Sequence, residues 1–198
     1  MTQAYQELRK TARALALASL FDKPDERDVI CDLLQLGLEL EKILEIASEP
    51  MLAMIRMQWW VDLFDNASLS DEAPDFAKRL YNAPAIATND ILSIVQQTQD
   101  SLQSPNPEMA WERLFIVMAN ANSWQIDETI MKQLGRNLGA LYQEEGAYQP
   151  LDDRDIKKAS AGTYGFPRLV NLLVSRQISG KPNQDFLLVF RYLWRILF

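Results

Sequence analysis

The segment from Asp25 to Ile46 constrains this chain more than any other. On a helical wheel at about 100° per residue, Asp28, Asp32, Gln35, Glu39 and Lys42 gather into one polar wedge. Val29, Leu33, Leu36, Leu40, Ile43 and Leu44 form an apolar face, and Ile30, Leu34 and Leu38 form a second row beside it. A helix that is apolar on most sides has to be surrounded by other helices, so this one is expected at the centre of a bundle. Pro24 suits its first turn, and Asp25, Glu26 and Asp28 suit the positive end of its dipole. No stretch alternates as a strand does. The seven glycines leave little room for hairpins or a Gly-rich phosphate loop. The expectation is an all-α chain, a single helical domain over residues 1–198 with about eight helices.

The other helices follow from periodicity and punctuation. Tyr5 to Leu20 reads as one helix with Leu8, Ala12, Leu15 and Leu20 near one face. Asp75 to Tyr81 is a short helix between Pro-marked breaks. Asn89 or Thr88 can cap a helix from Asp90 to Leu102. Ser104-Pro105-Asn106-Pro107 links it to Glu108–Ala121, which buries Trp111, Leu114, Phe115 and Met118. Asp127 and Glu128 start a helix through Leu138 to Tyr142, on which Gly135 and Gly139 admit a close neighbour. Leu151-Asp152-Asp153-Arg154-Asp155 lacks the spacing of a calcium loop and reads as a helix N-terminus. Gly162 to Pro167 is a break before a helix from Arg168 to about Gln177. The last helix, Asp185 to Phe198, sets Phe186, Phe190, Leu193 and Leu197 opposite Arg191 and Arg195. It is read either as closing the core or as a peripheral membrane contact.

Several function classes fall away on composition. With no histidine, Ser/His and Cys/His nucleophile systems and His-ligated zinc are excluded. Cys31 is alone, so no intrachain disulfide forms, and it reads as a small buried apolar residue. A formal charge of −7 with no basic run argues against nucleic acid as a partner. No secretory signal is visible, and no window holds the roughly 18 apolar residues of a spanning helix. A cytoplasmic protein, or one at the membrane periphery, is expected.

The candidate site lies in the hairpin made by the central helix and the next. Ser48 and Pro50 open a helix on which Leu52, Ile55, Trp59 and Leu63 share a side, with Trp60 beside them and Arg56 inside the stripe. A guanidinium keeps its proton, so an inward Arg56 must meet carboxylates, phosphates or carbonyl oxygens. Arg56 lies about 10 Å past the turn, a depth that Glu41 matches on the other arm. Glu41 and Glu45 are one turn apart and project the same way. Two readings stand: a Glu41–Arg56 structural ion pair with a Glu45–Lys42 surface pair, or the remnant of a metal–diphosphate cavity.

The run Val29 to Asp65 resembles the squalene/phytoene synthase family. The residues that carry the resemblance are Ser48-Glu49-Pro50-Met51-Leu52, then Ile55-Arg56-Met57-Gln58-Trp59-Trp60 and Asp65, with Leu38-Glu39-Leu40-Glu41 upstream. Leu17-Ala18-Ser19-Leu20-Phe21 with Arg27 is similar to the family's opening. Bacterial members and a mitochondrial branch assisting complex I assembly are the most similar. The resemblance implies a truncated isoprenoid synthase bundle. It also implies two DxxxD motifs whose magnesium ions bind prenyl diphosphates and assist loss of diphosphate. Here the first motif reads Glu41-Lys42-Ile43-Leu44-Glu45, and no DxxxD stands at the second, where Glu144-Glu145 is a ragged substitute.

The resemblance thus implies a degenerate, non-catalytic member. It would act as an assembly or interaction factor for a protein partner, or bind an isoprenoid or lipid ligand through Arg56, Trp59 and Trp60. The alternative is an active prenyltransferase that condenses prenyl diphosphates with Mg²⁺ on Glu41 and Glu45.

Overall fold

Pro24 begins the helix on which the bundle is built, where its missing N–H has no partner to lose. The computed structural model describes residues 1–45, 50–66, 71–102, 108–140, 149, 151–152, 154–156 and 165–178. The described helices are α1 (Gln3–Thr11), α2 (Arg13–Ser19), α3 (Pro24–Glu45), α4 (Pro50–Asp65) and α5 (Asp75–Tyr81). They continue with α6 (Thr88–Ser101), α7 (Glu108–Ala121), α8 (Glu128–Gly139) and α9 (Gly165–Ile178), besides a single turn at 154–156. The protein is all-α, with no strand among the described residues.

α3 is the central helix that its wheel predicts. It packs against α1, α2, α4, α5 and α7, and Ile30, Leu33, Leu34, Leu36, Leu38 and Leu40 are all buried. Each of these described helices contributes to one continuous apolar core. The wedge is not the solvated strip that its polarity suggests, however. Asp32 and Gln35 are buried because α1 and α5 close over that side.

The expected helix from Tyr5 to Leu20 is two helices, broken at Ala12 (φ −139°, ψ 76°). The break lets each half serve a different neighbour: α1 lies on α3, whereas α2 reaches both α3 and α9. Packing here outweighs the helix preference of an Ala-rich run. Arg27 then reaches back to the carbonyls of Ser19, Leu20 and Asp22 at 3.3–3.4 Å, meeting acceptors that the end of α2 leaves open.

Two other boundaries differ from expectation. α6 begins at Thr88 with Ala87 at its N-cap and no side-chain cap, so neither Thr88 nor Asn89 caps it. α9 begins at Gly165, three residues before the expected start at Arg168. Pro167 falls in its first turn, where a missing N–H costs no hydrogen bond. By contrast, Asp127 caps α8 through the Thr129 N–H at 2.8 Å, as its position predicts. Residues 141–148 and 179–198 lie outside the described residues, so the terminal amphipathic helix and Glu144-Glu145 have no structural account.

The tightest packing is between α7 and α8, around Trp111. A Cβ on Gly135 would collide with the Trp111 carbonyl; one on Gly37 or Gly139 would come within 2.9 Å of the indole. Trp111 is therefore cradled by three glycines, from α3 and α8. Gly135 and Gly139 admit the neighbour that their spacing predicts. At the far end of the bundle Asp22, also buried, accepts the Phe166 N–H at 2.9 Å and ties the start of α3 to the start of α9.

Candidate functional site

The azimuth of each residue on α3 decides what the predicted site can be. Glu39 and Glu41 are two residues apart, so their side chains leave the helix about 200° apart. Glu41 is only 4% exposed and its Oε2 accepts the Trp111 Nε1–H at 2.8 Å. Glu39 instead accepts Lys42 at 2.6 Å and Gln35 at 3.1 Å on the opposite side. The depth match between Glu41 and Arg56 holds along the hairpin, but the two residues face different ways. No Glu41–Arg56 ion pair forms. The side chain of Glu45 lies outside the described residues, so its expected pairing with Lys42 has no account here; Lys42 pairs with Glu39.

α4 is rotated relative to expectation. Its buried face is Ala53, Met57, Trp60, Leu63 and Phe64, while Leu52, Ile55 and Trp59 are 41%, 61% and 45% exposed. Arg56 is also exposed and makes no ion pair among the described residues. The reason is visible in the composition of α4, which is apolar nearly all round and so leaves its facing to its neighbours. Turning Leu52, Ile55 and Trp59 inward would carry the Arg56 guanidinium out of solvent and towards the apolar core, at the cost of its hydration. The small Ala53 instead sits against the bundle. Trp60 stacks with Phe64 at 6.0 Å and lies 5.8 Å from Phe76.

Arg56, Trp59 and Trp60 are nonetheless brought together. They line a groove of about 270 Å³ between the end of α3 and α4, completed by Glu39, Lys42 and Ile43. The Trp59 and Trp60 rings meet edge-on at 4.9 Å. Its walls are apolar, and its charges are two cations and one carboxylate, with that carboxylate already engaged by Lys42. The groove thus gathers the three residues expected to contact a ligand, and the acid beside them is Glu39, not Glu41.

Of the two expected magnesium ligands only Glu41 has a described side chain, and its Oε2 holds an indole N–H on the far side of α3. Among the described residues no three Asp, Glu, Cys or His side chains gather to hold a metal ion.

An acid–guanidinium cluster that the spacing does not predict lies around Arg79. Arg79 of α5 grips Asp32 with Nε at 2.9 Å and Nη2 at 2.7 Å, and Nη2 also reaches Glu7 of α1. Burial pushes the Asp32 carboxyl up to about 6, with the Arg79 hydrogen bonds pulling against it. At Glu7 burial also works upward, but Arg79 and Gln3 outweigh it and the carboxyl sits below its ordinary value. The hydrogen bonds that Arg79 donates to Asp32 hold the guanidinium further above its ordinary value. The cluster locks α1, α3 and α5 together. The polar wedge of α3 is its only trace in the sequence, since the separations from Arg79 are 47 and 72 residues.

Cys31 is buried beside the Ser19 hydroxyl at 3.4 Å, and burial pushes its thiol up to about 11. It is a packing residue and not a nucleophile. Comparison of the chain with family models, with curated proteins and with solved structures finds no match in any of the three. Among the described residues no helix is long and apolar enough to cross a membrane.

Proposed function

We propose that this chain is a non-catalytic helical protein of squalene/phytoene synthase type, working in a cytoplasmic or membrane-peripheral setting. It binds a lipid-like ligand or a protein partner through the groove between α3 and α4 and the outer face of α4. The observation that carries the reading is the hydrogen bond from Trp111 to Glu41. It commits the first acid of the ExxxE segment to holding α7 against α3. A prenyl diphosphate leaving group requires divalent cations or several fixed cations to absorb its charge. The groove supplies Arg56 and Lys42, and Lys42 is paired. The exposed Leu52, Ile55 and Trp59 give the interaction reading its surface.

The test is incubation with farnesyl or geranylgeranyl diphosphate and Mg²⁺. No condensed hydrocarbon and no released diphosphate are expected. Turnover that disappears in Glu41→Gln would overturn the proposal and restore the alternative, an active prenyltransferase.

A further inference from the structure

We propose that the groove between α3 and α4 binds a single-chain amphiphile with a carboxylate or monophosphate head, and does so without a metal ion. The inference rests on the reading of the chain as a non-catalytic ligand-binding protein and names the ligand class. Three observations lead to it.

The first is charge. Of the groove's three ionic side chains, Glu39 and Lys42 neutralise one another at 2.6 Å, and Arg56 has no ion pair among the described residues. Among the described residues the groove therefore carries one uncompensated guanidinium, whose planar fork matches a carboxylate or phosphate oxygen pair. The second is the apolar lining beside that charge, formed by Ile43 of α3 and by Trp59 and Trp60 of α4, and suited to a chain of methylenes. Its volume, about 270 Å³, lies at the small end for ligand sites. That size favours one chain over a bulky or two-chain lipid. The third is continuity: Ile55 and Leu52 extend the apolar surface along the same helix, so a chain longer than the groove stays in contact with apolar side chains. A diphosphate bridged by magnesium would need the carboxylate of Glu41, which faces α7.

The experiment titrates the full-length protein with ten-carbon probes, kept below their micellar range. They are decanoate, decyl phosphate, decanol and decylammonium, each with Mg²⁺ and with chelator, followed by tryptophan emission and calorimetry. Decanoate and decyl phosphate should bind saturably and indifferently to Mg²⁺. Decanol should bind more weakly, and decylammonium most weakly of the four. Arg56→Gln should weaken the two anions about ten- to a hundred-fold and leave decanol unchanged. Because Arg56 is exposed, the urea midpoint of that variant should match the parent. Trp59→Ala should weaken all four probes together.

Equal binding of decanol and decanoate, a requirement for Mg²⁺, absence of saturable binding, or binding only to phosphatidylglycerol vesicles would each overturn the proposal. These failures are separable from failure of the functional reading. Prenyl diphosphate turnover would end that reading even if decanoate bound. Indifference to the head group would end this one even if no turnover were seen.

Discussion

Two arginines meet the central helix at different heights along its polar wedge, Arg79 at Asp32 and Arg56 beside Glu39 and Lys42, and their fates differ. Arg79 reaches across to Asp32 and Glu7 and is half-buried among them. Arg56 stands at the rim of a groove with no carboxylate of its own among the described residues. The first is a structural cation that fixes three helices. The second is exposed and has no ion pair among the described residues, and it is the cation that the head group of the proposed amphiphile would meet. A guanidinium acts as structure where its counter-charges are brought by other helices, and as a site where they are absent.

Replacement of the two residues should separate them most sharply. Arg79→Met strands the buried Asp32 carboxylate, and a loss of about 3–5 kcal/mol in urea unfolding is expected. Arg56→Ala should change stability by no more than about 0.5 kcal/mol. Comparable losses at both sites would abolish the distinction.

The next effect concerns the carboxylate that faces neither arginine. Glu41→Leu leaves the Trp111 N–H without its acceptor and should cost about 1–3 kcal/mol. A neutral result would show that the α3–α7 contact rests on the glycine cradle alone.

Acidity offers a gentler probe. Burial raises Asp32 to about 6 and Asp22 to about 7, against about 3.8 for a free Asp side chain. Between about pH 4 and those values the folded chain holds protons that the unfolded chain has released. Stability should therefore be highest near the acid end of that window and fall as pH rises towards about 7. Asp22→Asn keeps an oxygen for the Phe166 N–H and should flatten the upper part of the slope, leaving the Asp32 part in place. Stability that rises over this interval would contradict both shifts. The smallest effect belongs to the groove: Lys42→Gln frees Glu39 and should weaken anion binding while moving the urea midpoint little.

How much of this could be read beforehand varies with the range of the interaction. The centrality of α3, the α7 boundaries, the short α5 and the role of Gly135 follow from spacing along a few turns. The facing of α4 does not follow, because a helix that is apolar nearly all round carries little azimuthal signal of its own. The Glu41–Arg56 pairing fails for a related reason: distance along a hairpin fixes depth and says nothing of rotation. The Arg79 cluster joins residues from three separate helices. Only the presence of acids on an otherwise buried helix hints that a cation arrives from elsewhere.

The glycine cradle also sets one of the chain's five tryptophans apart from the one that water reaches at the groove. Trp111 is 1% exposed, and its indole is hydrogen-bonded to a carboxylate, whereas Trp59 is 45% exposed at the groove. A water-borne quencher such as iodide would reach Trp59 and leave Trp111 lit. In a chain that keeps only these two indoles, occupation of the groove and loosening of the bundle could be followed in one cuvette without a label.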